Sequence, residues 1–238
     1  MVTQLLFGDH YKIIDERVNW VKIRSAFDKY ECWIDRKQSY EVSKDIYEEV
    51  ETSRKWESCT DLVNIIQNAK DNDLQPIVMG CALPFYNDNL VTIGEHAFSF
   101  TGNSELSTAG LSRSKILENA LLYINAPYLW GGKSPFGIDC SGFTQMVYKI
   151  AGKKLPRDAY QQAEIGTTLS FVEESKDGDL AFFDNDEGSI IHVGILMNEN
   201  EIIHASGKVR IDKIDHQGIY NVDTKTYSHK LRLIKQII

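Results

Sequence analysis

The spacing of apolar positions changes several times along the chain, and each change marks a candidate boundary. In residues 1–40, Leu5, Phe7, Tyr11–Ile14, Asn19–Arg24 and Glu31–Ile34 alternate or nearly alternate, separated by Gly8-Asp9, Asp15-Glu16 and Asp28-Lys29. This predicts a run of short strands in a small, strongly bent barrel, with the first residues already a strand. Between 41 and 71, Val42, Ile46 and Val50, then Leu62, Val63, Ile65 and Ile66, lie among charged residues near helical spacing. Short helices are expected there, one of them capped at Thr60 or Asp61. Strands return at Gln75–Met79, Leu90–Ile93 and His96–Phe100, with turns at Asn87–Asn89, Gly94 and Gly102-Asn103. A helix is predicted from Ser112 through Ile116, Leu117, Ala120, Leu121 and Ile124, ending before Pro127. A second follows Asp139, with Phe143, Met146, Val147, Ile150 and Ala151 as an apolar stripe and Gly152 as its stop. Strands close the chain at Asp179–Phe183, Ile190–Met197, Glu201–Ser206, Lys208–Asp212 and Leu231–Ile238, with hairpin turns at 198–200 and Ser206-Gly207. Helices followed by antiparallel strands give an α+β order. The expected domains are a barrel at 1–41, a packed helical connector at 42–71, a second barrel at 72–110 and an α+β domain at 111–238.

Composition narrows the partners. A formal net charge of -8 over 238 residues, with no basic run, argues against nucleic acid or an anionic membrane surface as the main partner. No apolar run approaches the roughly 18 residues a transmembrane helix needs. The N-terminus lacks a basic segment followed by a long apolar one, so the expected location is cytoplasmic, or periplasmic or secreted if a leader has been removed. Cys32, Cys59, Cys81 and Cys140 are scattered, without a CxxC pair or a short Cys/His ligand spacing, which argues against a disulfide framework. Cys32, Cys59 and Cys81 read as small buried hydrophobes.

Cys140 differs because of its setting. It follows the Asp139 cap and sits in the first turn of a helix, after a segment that Gly131, Gly132 and Gly137 leave conformationally free. Unpaired backbone N–H groups and the helix macrodipole favour a thiolate there. A cysteine nucleophile needs a base, and the base needs an orienting partner. His192 lies on the predicted strand Ile190–Met197, sharing a face with Gly194, which leaves room beside it. His204 lies on the next strand, and an antiparallel hairpin can set the two imidazoles side by side. Taken singly, a histidine in an apolar strand is more often structural, and Asp-Cys-Ser can be a plain capping turn. His10, His96, His216 and His229 have no assigned partner and read as structural or solvated.

The segments Pro127-Tyr-Leu-Trp-Gly-Gly132, Gly137-Ile-Asp-Cys-Ser-Gly-Phe143, Leu155-Pro-Arg-Asp158, Gly178–Phe183, His192-Val-Gly-Ile195 and Ile203-His-Ala-Ser206 resemble the NlpC/P60 family of papain-like cell-wall cysteine peptidases. The opening Gln4–Gly8, Trp20–Arg24 and Glu31–Asp35 resemble a bacterial SH3 (SH3b) domain. The resemblance implies an α+β papain-like catalytic domain preceded by small all-β SH3b-like barrels. It assigns Cys140 as nucleophile, His192 as base and His204 as orienting residue, with no metal or organic cofactor. The layout is similar to γ-D-glutamyl-L-diamino acid endopeptidases, which cut the γ-D-Glu–diaminopimelate or γ-D-Glu–Lys bond of murein peptides with a free N-terminal L-Ala. A murein peptide is thus the implied partner, in cell-wall recycling or turnover.

Such a peptide carries carboxylates and an amine, and Arg157 and Asp158 would pair with them; the alternative is an exposed, capped helix start. Tyr128 and Trp130 would wall the pocket, Tyr128 also donating to the oxyanion, or else are core aromatics beside a turn. Asp139 and Ser141 would touch the substrate as well as cap, and backbone N–H of Cys140 or Ser141 would hold the oxyanion. The chain departs from the resembling pattern at Ala159, where related enzymes often carry Ser, and no acidic residue for the L-Ala amine is assignable in the first barrel. Two other readings remain: a non-catalytic murein-binding module, and a Cys/His amidase or acyltransferase acting on another amide. A zinc site at Cys140, His192 and His204 lacks ligand spacing and an assigned carboxylate base.

Overall fold

The structure, a computed structural model, describes every residue except 54 and 199. The chain forms two compact units, Val2–Ala109 and Gly110–Ile238. In the first, β1 (Tyr11–Glu16), β2 (Trp20–Ser25) and β3 (Glu31–Asp35) form an antiparallel meander. Val21, Ile23 and Cys32 alternate onto its buried face, with Leu5, Tyr11, Ile13, Tyr30 and Ile34 packed around them. The helix α1 (Lys44–Thr52) follows, its Ser43 hydroxyl accepting the Ile46 N–H at 3.3 Å. Next come β4 (Glu57–Cys59), β5 (Val63–Asn68), β6 (Leu74–Val78), β7 (Leu90–Ile93), β8 (His96–Ser99) and β9 (Ser104–Leu106). They pair in the order β6-β5-β8-β7, with β4 on β9, over a core of Cys59, Ile66, Ile77, Cys81, Leu83, Val91 and Phe100.

Two expectations fail here. Residues 57–68 form strands where helix was expected. Val63, Ile65 and Ile66 are β-branched and suit a pleated surface, and Ile66 alone of the three is buried. Asp61 caps no helix; its carboxylate instead accepts Asn103 N–H at 2.8 Å and Asn64 Nδ2 at 2.6 Å, closing a turn. The second strand group therefore begins near Glu57 rather than residue 72. Residues 1–10 contain no strand either. Leu6 and Phe7 pack onto the second core, and Ala82 N–H donates to the Phe7 carbonyl at 3.0 Å.

The second unit opens with α2 (Arg113–Leu122), capped by Ser112. The two-residue strands β10 (Lys133–Ser134) and β11 (Gly137–Ile138) lead into α3 (Cys140–Ile150), and α4 (Ala159–Gln162) and β12 (Thr167–Leu169) follow. Then come β13 (Leu180–Asp184), β14 (Ile190–Met197), β15 (Glu201–Ser206), β16 (Lys208–Asp215), β17 (Gly218–Asn221) and β18 (Thr226–Gln236). These strands pair in sequence from β13 to β17, and β18 pairs with both β13 and β17, closing a barrel. The turn expected at 198–200 includes residue 199, outside the described residues. Ala181, Phe183, Leu196, Ile202, Ile214, Ile219 and Ile234 fill the barrel interior. By alternation His192 shares a face with Leu196, His204 with Ile202, and Asp212 with Ile214, so three polar side chains extend the interior face.

The helix α3 packs against α2, α4, β14 and β15, and all eleven of its residues are buried. The helix expected to pack by one apolar stripe is thus buried on every face. Its polar face is answered by protein: Thr144 Oγ1 lies 2.6 Å from Gln162 Oε1, and Gln145 Nε2 donates to the Leu155 carbonyl at 3.0 Å.

In the first unit, Ile66→Ala removes a fully buried side chain from a closely packed core. The expected cost is about 2–5 kcal/mol, read as a lowered denaturation midpoint for that unit; an unchanged midpoint would contradict the core assignment.

Candidate active site

Cys140 begins α3 directly after its cap. Asp139 Oδ1 accepts the Gly142 N–H at 2.7 Å, and Oδ2 accepts the Gly131 N–H at 2.7 Å. One carboxylate thus fastens both the helix start and the glycine loop before it. That loop is tight rather than loose: Gly131, Gly132 and Gly137 are buried, and a Cβ on Gly132 would lie 2.2 Å from the Gly137 carbonyl oxygen. Close approach of backbone to backbone demands glycine at Gly132, and a φ of 81° demands it at Gly131.

Beside the nucleophile candidate runs a chain of polar contacts supplied by successive strands. The backbone N–H of Val193 faces the Cys140 sulfur, which sets the stretch of β14 that carries His192 against the start of α3. His192 Nε2 lies 2.8 Å from His204 Nδ1, and His204 Nε2 lies 3.1 Å from Asp212 Oδ2. The register explains the first contact: His204 sits opposite Gly194, and His192 approaches diagonally on the same face. A Cβ at Gly194 would meet the His204 Cβ at 2.9 Å and Ile202 side-chain carbons at 2.7 and 2.8 Å.

Residues 125–228 match the NlpC/P60 family model, and residues 1–38 match the bacterial dipeptidyl-peptidase Sh3 domain. Residues 125–228 belong to the NlpC/P60 family, a family of cysteine peptidases. A Bacillus subtilis protein named gamma-D-glutamyl-L-lysine dipeptidyl-peptidase is 40% identical over 92 residues, covering 38% of this chain and 31% of that one. A Bacillus cereus protein of the same name is 25% identical over 226 residues, covering 85% of this chain and 66% of its own. The chain thus spans from under a third to about two thirds of the length of these relatives. The crystal structure of an NlpC/P60 family protein from Bacillus cereus aligns with a TM-score of 0.82 at 22% identity, over 99% of this chain and 82% of that one, which establishes the fold.

Within the NlpC/P60 domain, the residues expected to meet a substrate differ in exposure and in partners. Arg157 is 1% exposed and grips Asp139 with both ends of its fork, at 3.0 and 2.6 Å, while also donating to Ser141 Oγ at 2.9 Å. Neither expectation for it holds: it is not an exposed helix start, and its guanidinium is spent on a buried ion pair beneath Cys140 rather than on an open pocket wall. Asp139 and Ser141, buried with it, serve the same frame, and their side chains support the nucleophile's loop. Gln162 Nε2 adds a bond to the Ser141 carbonyl at 3.0 Å. Asp158 caps α4, its N–H meeting Gln161 Oε1 at 3.1 Å. Tyr128 is half-buried close enough to feel Cys140 and Asp139; burial foremost, then those charges, pushes its hydroxyl up to about 12, so it stays a donor. Trp130 is 68% exposed and forms no part of the core.

The electrostatics reverse one expectation. Burial, then the Asp139 charge, pushes the Cys140 thiol up to about 11, despite N–H groups of Val193 and Ser141 facing the sulfur. Desolvation outweighs the helix start. Burial also holds His192 well below the ordinary histidine value, with His204 and His229 adding to the effect. The resting pair is therefore thiol and neutral imidazole. Sequence reasoning missed His229, which stacks on His192 at 4.1 Å and 23° and is lowered to about 4, chiefly by burial. It also missed Asp212, although alternation carried through the Ser206-Gly207 turn, with His204 opposite Arg210, puts it on the same face.

Ring nitrogens of His192, His204 and His229 fall within 4.8 Å of one another. They do not fit a metal ion. The near-parallel rings of His192 and His229 send their lone pairs into two separate planes, and the His192–His204 contact already uses the facing nitrogens.

Two outcomes are expected. Gly194→Ala drives a methyl into His204 and lowers kcat at least tenfold with little change in thermal stability of the first unit; full activity would refute the tight register. The histidines are depressed in the folded state, so below pH 6.5 the unfolded chain binds protons that the folded one refuses, and stability falls as pH falls. Each fully buried neutral histidine contributes up to about 1.4 kcal/mol per pH unit in that window. Tm should drop between pH 6.5 and 4.5, and a flat Tm there would contradict the neutral cluster.

Proposed function

We propose that the chain is a cysteine peptidase that cleaves the γ-D-Glu–diamino acid bond, to diaminopimelate or Lys, of murein peptides bearing a free N-terminal L-Ala, in cell-wall recycling or turnover. The observation that carries this reading is the buried His192–His204 pair on strands packed against α3, with the Val193 N–H that follows His192 facing the Cys140 sulfur at the helix start. The names of the two Bacillus relatives and the match of residues 1–38 to a dipeptidyl-peptidase Sh3 domain support the substrate class.

In the proposed reaction the Cys140 sulfur attacks the γ-carbonyl carbon as its proton passes to His192. The oxyanion forms beside backbone N–H groups at the start of α3, with the Tyr128 hydroxyl as a further donor. His192 then gives its proton to the diamino-acid nitrogen, the C–N bond breaks, and a thioester remains. Water, losing a proton to His192, attacks the thioester; the C–S bond breaks and the sulfur regains its proton. Because the resting thiol is protonated, transfer to His192 accompanies attack. Trp130, exposed on the glycine loop, offers an apolar wall for the peptide.

The test is mass spectrometry of L-Ala-γ-D-Glu-L-Lys and its diaminopimelate counterpart incubated with wild type and Cys140→Ala. The expected result is release of L-Ala-D-Glu by wild type alone, and loss of cleavage when the L-Ala amine is acetylated. Wild type that leaves both peptides intact would overturn the reading, as would a Cys140→Ala variant that still cuts.

A further inference from the structure

Asp212 is 2% exposed, and its carboxylate is met by the donors His204, Arg210 and Val222. Arg210 Nε reaches Oδ2 at 2.7 Å and its terminal nitrogen reaches Oδ1 at 2.8 Å, in a two-pronged ion pair. The Val222 N–H approaches Oδ1 at 3.4 Å, and Arg210 is itself steadied by Asp223 at 2.8 Å. Burial alone would raise this carboxyl, but His204, Arg210 and Val222 bring it down to about 2. It is ionised throughout the neutral range.

An ionised carboxylate has acceptors only, so the proton between Asp212 and His204 must sit on His204 Nε2. A neutral His204 then has a bare Nδ1, which can only accept. The 2.8 Å contact is consequently a donation from His192 Nε2–H. With Nε2 carrying the proton and the ring neutral, His192 Nδ1 is bare, and it is the nitrogen left for the thiol.

We propose that Asp212, clamped by Arg210, is a positioning residue that fixes the tautomers of both histidines and thereby gives the base its free nitrogen. Without it, His204 can place its proton on Nδ1 and donate to His192. His192 then carries its own proton on Nδ1, facing a thiol whose proton it cannot take. The clamp has a second effect. Arg210 keeps Asp212 too weak a base to strip the proton from His204, so the carboxylate polarises the pair without joining the transfer. As His192 becomes an imidazolium during attack, the polarised His204 stabilises it. This inference rests on the assignment of Cys140 and His192 as nucleophile and base.

The experiment is 15N NMR of histidine-labelled protein at neutral pH, read beside turnover of the murein tripeptides. In wild type, His192 and His204 should both appear as Nε2–H tautomers with bare Nδ1. Asp212→Asn keeps the shape, but its amide can donate to His204 Nε2. The expected result is a His204 resonance shifted toward the Nδ1–H form and kcat lower by roughly 10²–10⁴-fold with KM little changed. Asp212→Glu should recover part of the loss. Wild-type His204 protonated on Nδ1 would overturn the inference, and so would a folded Asp212→Asn with unchanged tautomers and kcat. If Asp212→Asn fails to fold, the wild-type spectrum still decides. Tautomers as assigned, in a protein that cuts neither tripeptide, would support the inference and sink the substrate reading alone.

Discussion

The Asp139–Arg157 ion pair is the contact on which the second unit's chemistry depends. It lies under the first turn of a helix with no exposed face, and its carboxylate holds two backbone N–H groups in addition to the guanidinium. Two buried charges are costly to desolvate, and the cost is tolerable only because the remaining lone pairs of Asp139 are also satisfied. The arrangement leaves the start of α3 little freedom, which places the sulfur without using a loop. It also charges a penalty: the same anion, next to a desolvated thiol, raises the energy of the thiolate.

The base is positioned by different physics. His192, His204 and Asp212 come from three neighbouring strands of a barrel that closes on itself through β17 and β18. Closure removes free edges along most of the barrel, and the interior apolar cluster fixes which residues of each strand face inward. The polar trio inherits its geometry from that alternation. His229 then stacks on one face of the His192 ring at 4.1 Å between centroids, and Phe183 packs beside both rings at 5.8 and 5.9 Å, which restrains the imidazole's plane.

Much of this was legible in the residues, for physical reasons. The start of α3 could be read because an N-cap, a helical stripe and a stopping glycine agree on one register. The His192–His204 pairing could be read because period-two alternation continues across a short hairpin. The family resemblance added the roles, and the domain match covers the same residues. What escaped reading was contact without periodicity. Arg157 and Asp139 stand eighteen positions apart, and nothing in spacing tells an exposed cap from a buried fork. His229 was missed because β18 begins at Thr226, earlier than its apolar run, after an irregular pairing with β17. Residues 57–68 were misread because short β-branched runs among charges fit either period, and only pairing with β6 and β8 decides.

The barrel's order of pairing makes the relay a matter of loop length. His192 and Asp212 reach His204 from opposite sides, through the hairpins β14–β15 and β15–β16. The second of these turns on Gly207 alone, between Ser206 and Lys208, at a φ of 71°. Adding or losing one residue at that tip would slide β16 by one position and send Asp212 to the outside of the barrel, while His192 and His204 stayed in place. A change at an exposed turn that carries no reacting group would then erase one member of the relay and spare the rest.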